Sequence, residues 1–183
     1  MDHFLSSSIK LFAYYKSLAN KTFNQLTFEE LQWQSSESSN SIAVITKHIA
    51  GNMKSRWTNF LIEDGEKPWR NRDMEFVDTY TTKENMIADW ESAWHILFDT
   101  LTPLTSNDLD RIVYIRNEGH TITEAINRQT VHYAYHIGQI VFLGKLLKND
   151  NWENLSIAKG KSGKYNNEKF NNPKENRHFT DNI

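Results

Sequence analysis

Apolar residues recur at helical spacing in four long segments of this chain. In residues 4–22 the stripe is Leu5, Ile9, Phe12 and Leu18. In residues 41–63, Ser41, Val44, Ile45, His48, Asn52, Ser55 and Asn59 share one side, and Ile42, Ile49, Met53 and Phe60 form a wholly apolar stripe beside it. Met86, Trp90, Ala93, Leu97 and Leu101 repeat at near-heptad spacing in a third segment, which stops before Pro103. The fourth segment, 123–148, is apolar on two sides. Capping-box pairs, a Thr with Glu three residues on, occur at Thr27 with Glu30, Thr81 with Glu84, and Thr121 with Glu124. The first predicts a short helix through Trp33. Ser39 or Asn40 is the expected cap of the second long helix.

Elsewhere the helical period fails. Asp64-Gly65-Glu66-Lys67-Pro68 stops the second long helix, and 69–80 reads as a charged loop in which Arg70-Asn71-Arg72-Asp73 is solvated. Ile112-Val113-Tyr114-Ile115 is β-branched and aromatic, Arg116-Asn117-Glu118-Gly119 is a turn, and His120-Thr121-Ile122 returns. The predicted fold is all-α: a four-helix bundle with a short β-hairpin between the third and fourth long helices. Residues 1–167 form its one domain. The Asn- and Lys-rich residues 168–183 are expected to be a flexible tail.

Composition removes several functions. The chain has 183 residues and no cysteine. It therefore has no disulfide scaffold, no thiolate metal site and no cysteine nucleophile of its own. A net charge of −2 does not suggest a nucleic-acid-binding surface. Met1-Asp2-His3-Phe4 lacks the basic then apolar pattern of a secretory signal, and no apolar run is long enough to span a bilayer. The expectation is a cytoplasmic protein with no nucleic-acid or membrane partner.

The chemistry centres on His132-Tyr133-Ala134-Tyr135-His136. Two imidazoles four residues apart on a helix leave the same face one turn apart, the spacing that grips one divalent ion. On a helical wheel Ala125, Arg128, His132, His136, Gln139, Leu143 and Leu146 share a stripe. Ala134, Ile137 and Val141 lie opposite, an apolar strip suited to a homodimer contact or to cover by the segment around Trp152 and Leu155. His48 and Asn52 stand near the core of a helix that has a sufficient apolar stripe without them. Burying such groups unpaired costs on the order of a few kcal/mol, and a shared ligand would satisfy them. Three imidazoles leave an open coordination position, which favours catalysis over structure. Arg128 is expected to be ion-paired, or to hold an anionic substrate group. His3, His95, His120 and His178 have no partner at metal-ligand spacing.

Several short motifs also resemble a known family. They are Asn40-Ser41-Ile42-Ala43, His48-Ile49-Ala50-Gly51-Asn52, Arg56-Trp57, Asp64-Gly65-Glu66, Arg70-Asn71-Arg72-Asp73, Glu75-Phe76, Arg128, His132 and His136-Ile137-Gly138-Gln139-Ile140. They recur in Leu155-Ser156-Ile157 and Gly160-Lys161-Ser162, with Ala158 where the family pattern has Pro. In order and spacing, to about Asn167, the chain resembles the DinB-like superfamily of metal-binding four-helix bundles, and within it the DUF1572 group. The resemblance implies one divalent ion, zinc or nickel first, held by His48, His132 and His136, with many relatives homodimeric. It also implies a thiol-dependent transferase that uses a low-molecular-weight thiol on a small-molecule substrate. Asn52, Arg128 and Gln139 would line the cofactor pocket. The alternatives are a metal-dependent hydrolase, for which neither histidine helix offers a carboxylate base, and a non-enzymatic, stress-related metal- or small-molecule-binding protein.

Overall fold

The apolar stripes of the long helices can leave water only by packing on one another, and they do. A computed structural model describes residues 3–181. In chain order its elements are α1 (His3–Asn24), α2 (Phe28–Gln32), α3 (Ile42–Trp57), α4 (Lys83–Leu101), β1 (Ile112–Ile115), β2 (Glu118–Thr121), α5 (Ile122–Lys148) and α6 (Ser162–Phe170), with short 3-10 turns between some of them. Helix α3 packs on α4 and α5, and α1 packs on α5 and α4, so each long helix has two long neighbours. No described helix is long and apolar enough to cross a membrane.

The core is aromatic. Phe12 meets Trp57, Trp94 and Tyr133 at ring-centroid distances of 6.3, 6.3 and 5.9 Å. Trp90 packs against Trp94 at 5.3 Å and Phe23 at 5.5 Å. Met86, Trp90, Ala93, Leu97 and Leu101, the near-heptad row, are all fully buried.

The helix ends follow local chemistry, with some shifts. Thr27 and Glu30 make the reciprocal capping box of α2, and Thr121 and Glu124 that of α5. Helix α3 is capped by Ser41, whose hydroxyl accepts from Val44 N at 3.1 Å, rather than by Ser39 or Asn40. It stops at Trp57, short of the expected 63: Thr58 is extended, with ψ of 126°, and Asn59 follows with a left-handed φ of 50°. Thr82, accepting from Asn85 N, caps α4 instead of Thr81.

The hairpin pairs Ile112 with Thr121 and Ile115 with Glu118 across a two-residue turn, Arg116-Asn117. Both turn residues are left-handed, with φ of 56° and 62°, which suits a tight antiparallel hairpin. Asp64 holds the turn from outside the hairpin: its carboxylate accepts from Arg116 N and Asn117 N, each at 2.8 Å. Those hydrogen bonds hold the Asp64 pKa low, although burial acts in the opposite direction.

Helix α5 faces differently from the wheel expectation. Its buried row is Ile122, Ala125, Ile126, Gln129, Tyr133, Ile137, Ile140 and Gly144. Ile137, expected on an outer strip, is in the core. The apolar face turned outward is Val131, Tyr135, Phe142 and Leu146, each more than half exposed. Trp152 lies instead beside Gly144, next to Thr22 and Leu26.

The expected tail, 168–183, includes residues 182 and 183, which lie outside the described residues. Within the described part, α6 ends at Phe170, and the chain then returns to α1. There Phe179 meets the Tyr14 ring at 5.4 Å, and Lys10 pairs with Asp181 at 2.5 Å.

Candidate metal centre

His48 leaves α3 and His132 and His136 leave α5 where the two helices pack. One ring nitrogen from each lies within 4.8 Å of the others. The ring centroids are 4.8–5.4 Å apart. Helical spacing accounts for the α5 pair; only the packing of α3 on α5 adds His48 to it.

The ring orientations are set by hydrogen bonds on the far nitrogens. His48 Nδ1 is 2.9 Å from Glu75 Oε2, and since an ionised carboxylate only accepts, Nδ1 carries the proton. His136 Nδ1 donates in the same way to Gln139 Oε1 at 2.9 Å. In the neutral ring of each residue, Nε2 is then the nitrogen with the lone pair. His48 Nε2 stands 3.4 Å from His132 Nε2. Two nitrogens on a tetrahedral zinc or nickel ion, each about 2.05 Å from it, would be roughly 3.3 Å apart, so the His48–His132 pair has the spacing of two ligands on such an ion.

Glu75, read in the sequence only as part of the Glu75-Phe76 motif, is the carboxylate behind His48. It lies on the 3-10 turn Asp73–Phe76, is buried, and receives Arg70 in bidentate fashion at 2.7 and 2.9 Å. Arg70 continues to Glu66 at 3.0 Å, which also receives Arg56 at 3.0 Å and Arg116 at 3.2 Å. Arg70 is thus not part of a solvated loop: its side chain is 3% exposed. Burial raises the Glu75 pKa, but the bonds from His48 and Arg70 outweigh it and hold the carboxyl below its usual range. Burial is also the first cause that pushes His132 down to about 3, followed by charge repulsion from His136, His48, Arg56 and Arg70. His136 is lowered too, mainly by burial, with Gln139 working against the shift. Neutral imidazoles are the form that binds metal.

A cleft of about 490 Å³ opens onto the histidines, walled also by Phe76, Val131 and Tyr135. Asn52 lines it, its carbonyl accepting from Tyr133 OH at 3.1 Å. Arg128 lines it as well; the expected ion pair is not made among the described residues, and its contact is His120 Nε2 at 3.3 Å. Gln139 is not among the lining residues; it holds His136. Gln129, missed in the sequence, is buried at the cleft wall, and its Oε1 has no hydrogen-bond partner among the described residues. Phe76 stacks on His48 with centroids 4.9 Å apart. The available signals for the missed residues were a glycine inside α3, Gly51, and a loop that combines arginines, Glu75 and Phe76.

The chain has no match among curated proteins. The three histidines, Glu75 and the arginines around them all fall within residues 1–161, the span matched by the family model described as "Protein of unknown function (DUF1572)", and the chain belongs to that family.

Proposed function

We propose that His48, His132 and His136 hold one divalent ion, zinc or nickel, in a DinB-like four-helix bundle, and that the protein is a thiol-dependent transferase. The observation that carries this reading is the convergence of three imidazoles, two of them with Nε2 left as a lone pair by Glu75 and Gln139. An ion held there would lower the pKa of a low-molecular-weight thiol. The cysteine-free chain has no thiol of its own, so the nucleophile must come from outside.

The chain's own residues bind and orient. Asn52 commits its carbonyl to Tyr133, which leaves its amide N–H groups as donors in the cleft. Arg128 offers a guanidinium at the same wall. Phe76 covers the outer face of His48. In the transfer, sulfur bonds to an electrophilic carbon of the small-molecule substrate, the leaving group departs with its electron pair, and the thiol proton passes to solvent. Hydrolysis has less support, because Glu75, the carboxylate hydrogen-bonded to His48, is committed to that ring and to Arg70 and is poorly placed as a general base. A cytoplasmic homodimer completes the reading.

Metal analysis of protein purified without an affinity tag, followed by assays pairing electrophiles with bacillithiol, mycothiol or glutathione, tests it. The expected result is one ion per chain and turnover that needs both metal and thiol. Metal content no higher than that of a His132→Ala/His136→Ala double variant would refute the metal site. Turnover without thiol would refute the transferase.

A further inference from the structure

Five arginines from four parts of the chain surround the same cleft. Arg56 comes from α3, Arg70 and Arg72 from the loop after it, Arg116 from the hairpin turn and Arg128 from α5. Among the described residues, no Asp or Glu lines the cleft. Two carboxylates stand behind the arginines: Glu66 pairs with Arg56, Arg70 and Arg116, and Glu75 pairs with Arg70. With Asp64, whose carboxylate holds the Arg116-Asn117 turn and interacts with Arg56, three carboxylates stand against five guanidinium charges, leaving an excess of two. Arg72 and Arg128 have no carboxylate partner among the described residues. Arg72 instead lies over the Phe76 ring at 5.3 Å, and Arg128 touches His120.

Like charges do not gather in one cleft without cost. Arg56 is buried, and its Nε, enclosed by protein, has no partner among the described residues. Burial foremost, and the nearby Arg70 charge as well, push its pKa down against the pull of Glu66. The turn that carries Arg116 is fastened by Asp64, so this guanidinium is positioned by the fold rather than left on a free loop.

The geometry points to an oxyanion-binding subsite beside the three histidines, formed by Arg72, Arg116 and Arg128, that takes a small organic molecule bearing a carboxylate or phosphate group. Guanidinium groups bind either oxyanion through paired charge-assisted hydrogen bonds. Phe76, Val131 and Tyr135 offer apolar walls for the rest of the molecule, and the cleft, at about 490 Å³, has the size of a small-ligand site. The inference rests on the metal reading only for the reacting end of the ligand; the arginines hold the anionic end.

Calorimetric titration of the full chain, metal-free and zinc-loaded, with phenyl phosphate, phenylacetate and the neutral phenylacetamide tests the subsite. At least one anion is expected to bind, and the tighter one identifies the preferred oxyanion. Arg128→Gln and Arg72→Gln should each weaken anion binding by about tenfold, with unchanged circular dichroism and undiminished zinc affinity. The amide should not bind. Equal binding by wild type and both variants, equal binding of the amide, or no anion binding in either metal state overturns the subsite. Zinc titration of the same samples reads the metal site separately. Zinc uptake without anion binding sinks the subsite alone, and anion binding without zinc uptake sinks the metal reading alone.

Discussion

Gly51 lies in the interior of α3, where a Cβ would come within 2.5 Å of Glu75 Oε1 and 2.8 Å of Glu75 Cδ. A glycine inside a helix costs about 0.5–1 kcal/mol relative to alanine, so its place here needs a reason. The reason is spatial: the buried carboxylate that orients His48 crosses the helix surface at this point. Glu75 is held on both sides by His48 and Arg70 and has little room to move aside.

Gly51→Ala should therefore separate helix stability from metal affinity. Zinc affinity is expected to fall by roughly 10–100-fold as Glu75 is displaced from His48, while helix content by circular dichroism stays at the wild-type level. Zinc binding as tight as wild type would show that Glu75 does not position the ring.

Replacing Glu75 by Gln keeps the size of the side chain and removes its charge. Arg70 is then left buried beside a neutral amide, and His48 loses its carboxylate acceptor. A drop in zinc affinity of about 10–100-fold is expected. Glu75→Gln should also lower the unfolding free energy of the metal-free protein, read from urea unfolding, by on the order of 3 kcal/mol, since one partner of a buried pair is lost. No change in either measurement would contradict the role given to this network.

Metal occupancy should distinguish the three histidines from the rest. Elemental analysis of His48→Ala, His132→Ala and His136→Ala is expected to give far less bound metal than wild type. His120→Ala, whose ring meets Arg128 outside the triad, should keep it. Equal loss in His120→Ala would argue for a nonspecific site.

The metal-free protein should lose stability as pH falls from about 6.5. In the unfolded chain His132 takes up a proton near its ordinary 6.5, whereas in the folded chain it stays neutral down to about 3. The unfolded state then binds more protons, so acid favours unfolding throughout that window. Urea unfolding with chelator at pH 7.5 and pH 5 should show the fall, and His132→Gln should show less of it. Carboxylates weigh little above pH 5, because Glu75 is held below its ordinary 4.5. An identical pH dependence in His132→Gln would refute the assignment.

Homodimerisation is expected through α5, on the face that is actually exposed. Val131 and Tyr135 wall the cleft, but Phe142 and Leu146, one turn apart beyond it, are exposed and apolar, with Gly138 one turn before Phe142 open to close approach of a second helix. A self-complementary patch of this kind suits a two-fold contact. Light scattering should report a dimer for wild type and a monomer for Phe142→Glu. A wild-type monomer at micromolar concentration would remove the proposal.

Where the sequence was informative, the rule involved was local. A capping box spans three residues, so Thr27 with Glu30 and Thr121 with Glu124 could be read directly. The near-heptad row of α4, the hairpin at Ile112–Ile115 and the one-turn spacing of His132 and His136 are local in the same sense. Helix α5 was read less well, because a helix apolar on two sides does not say which side meets its neighbours. The packing of α1 and α3 decides that, and it buries Ile137 while exposing Phe142. The loop after α3 has no period at all. That Arg70 is buried, that Glu75 reaches His48 and that Arg116 stands at the cleft depend on contacts between residues far apart in sequence. The histidine pair was thus determined by the sequence alone. Its third member's arrival, the carboxylate behind that member and the arginines around all three were decided by the tertiary structure, since only packing brings separate segments within hydrogen-bonding distance.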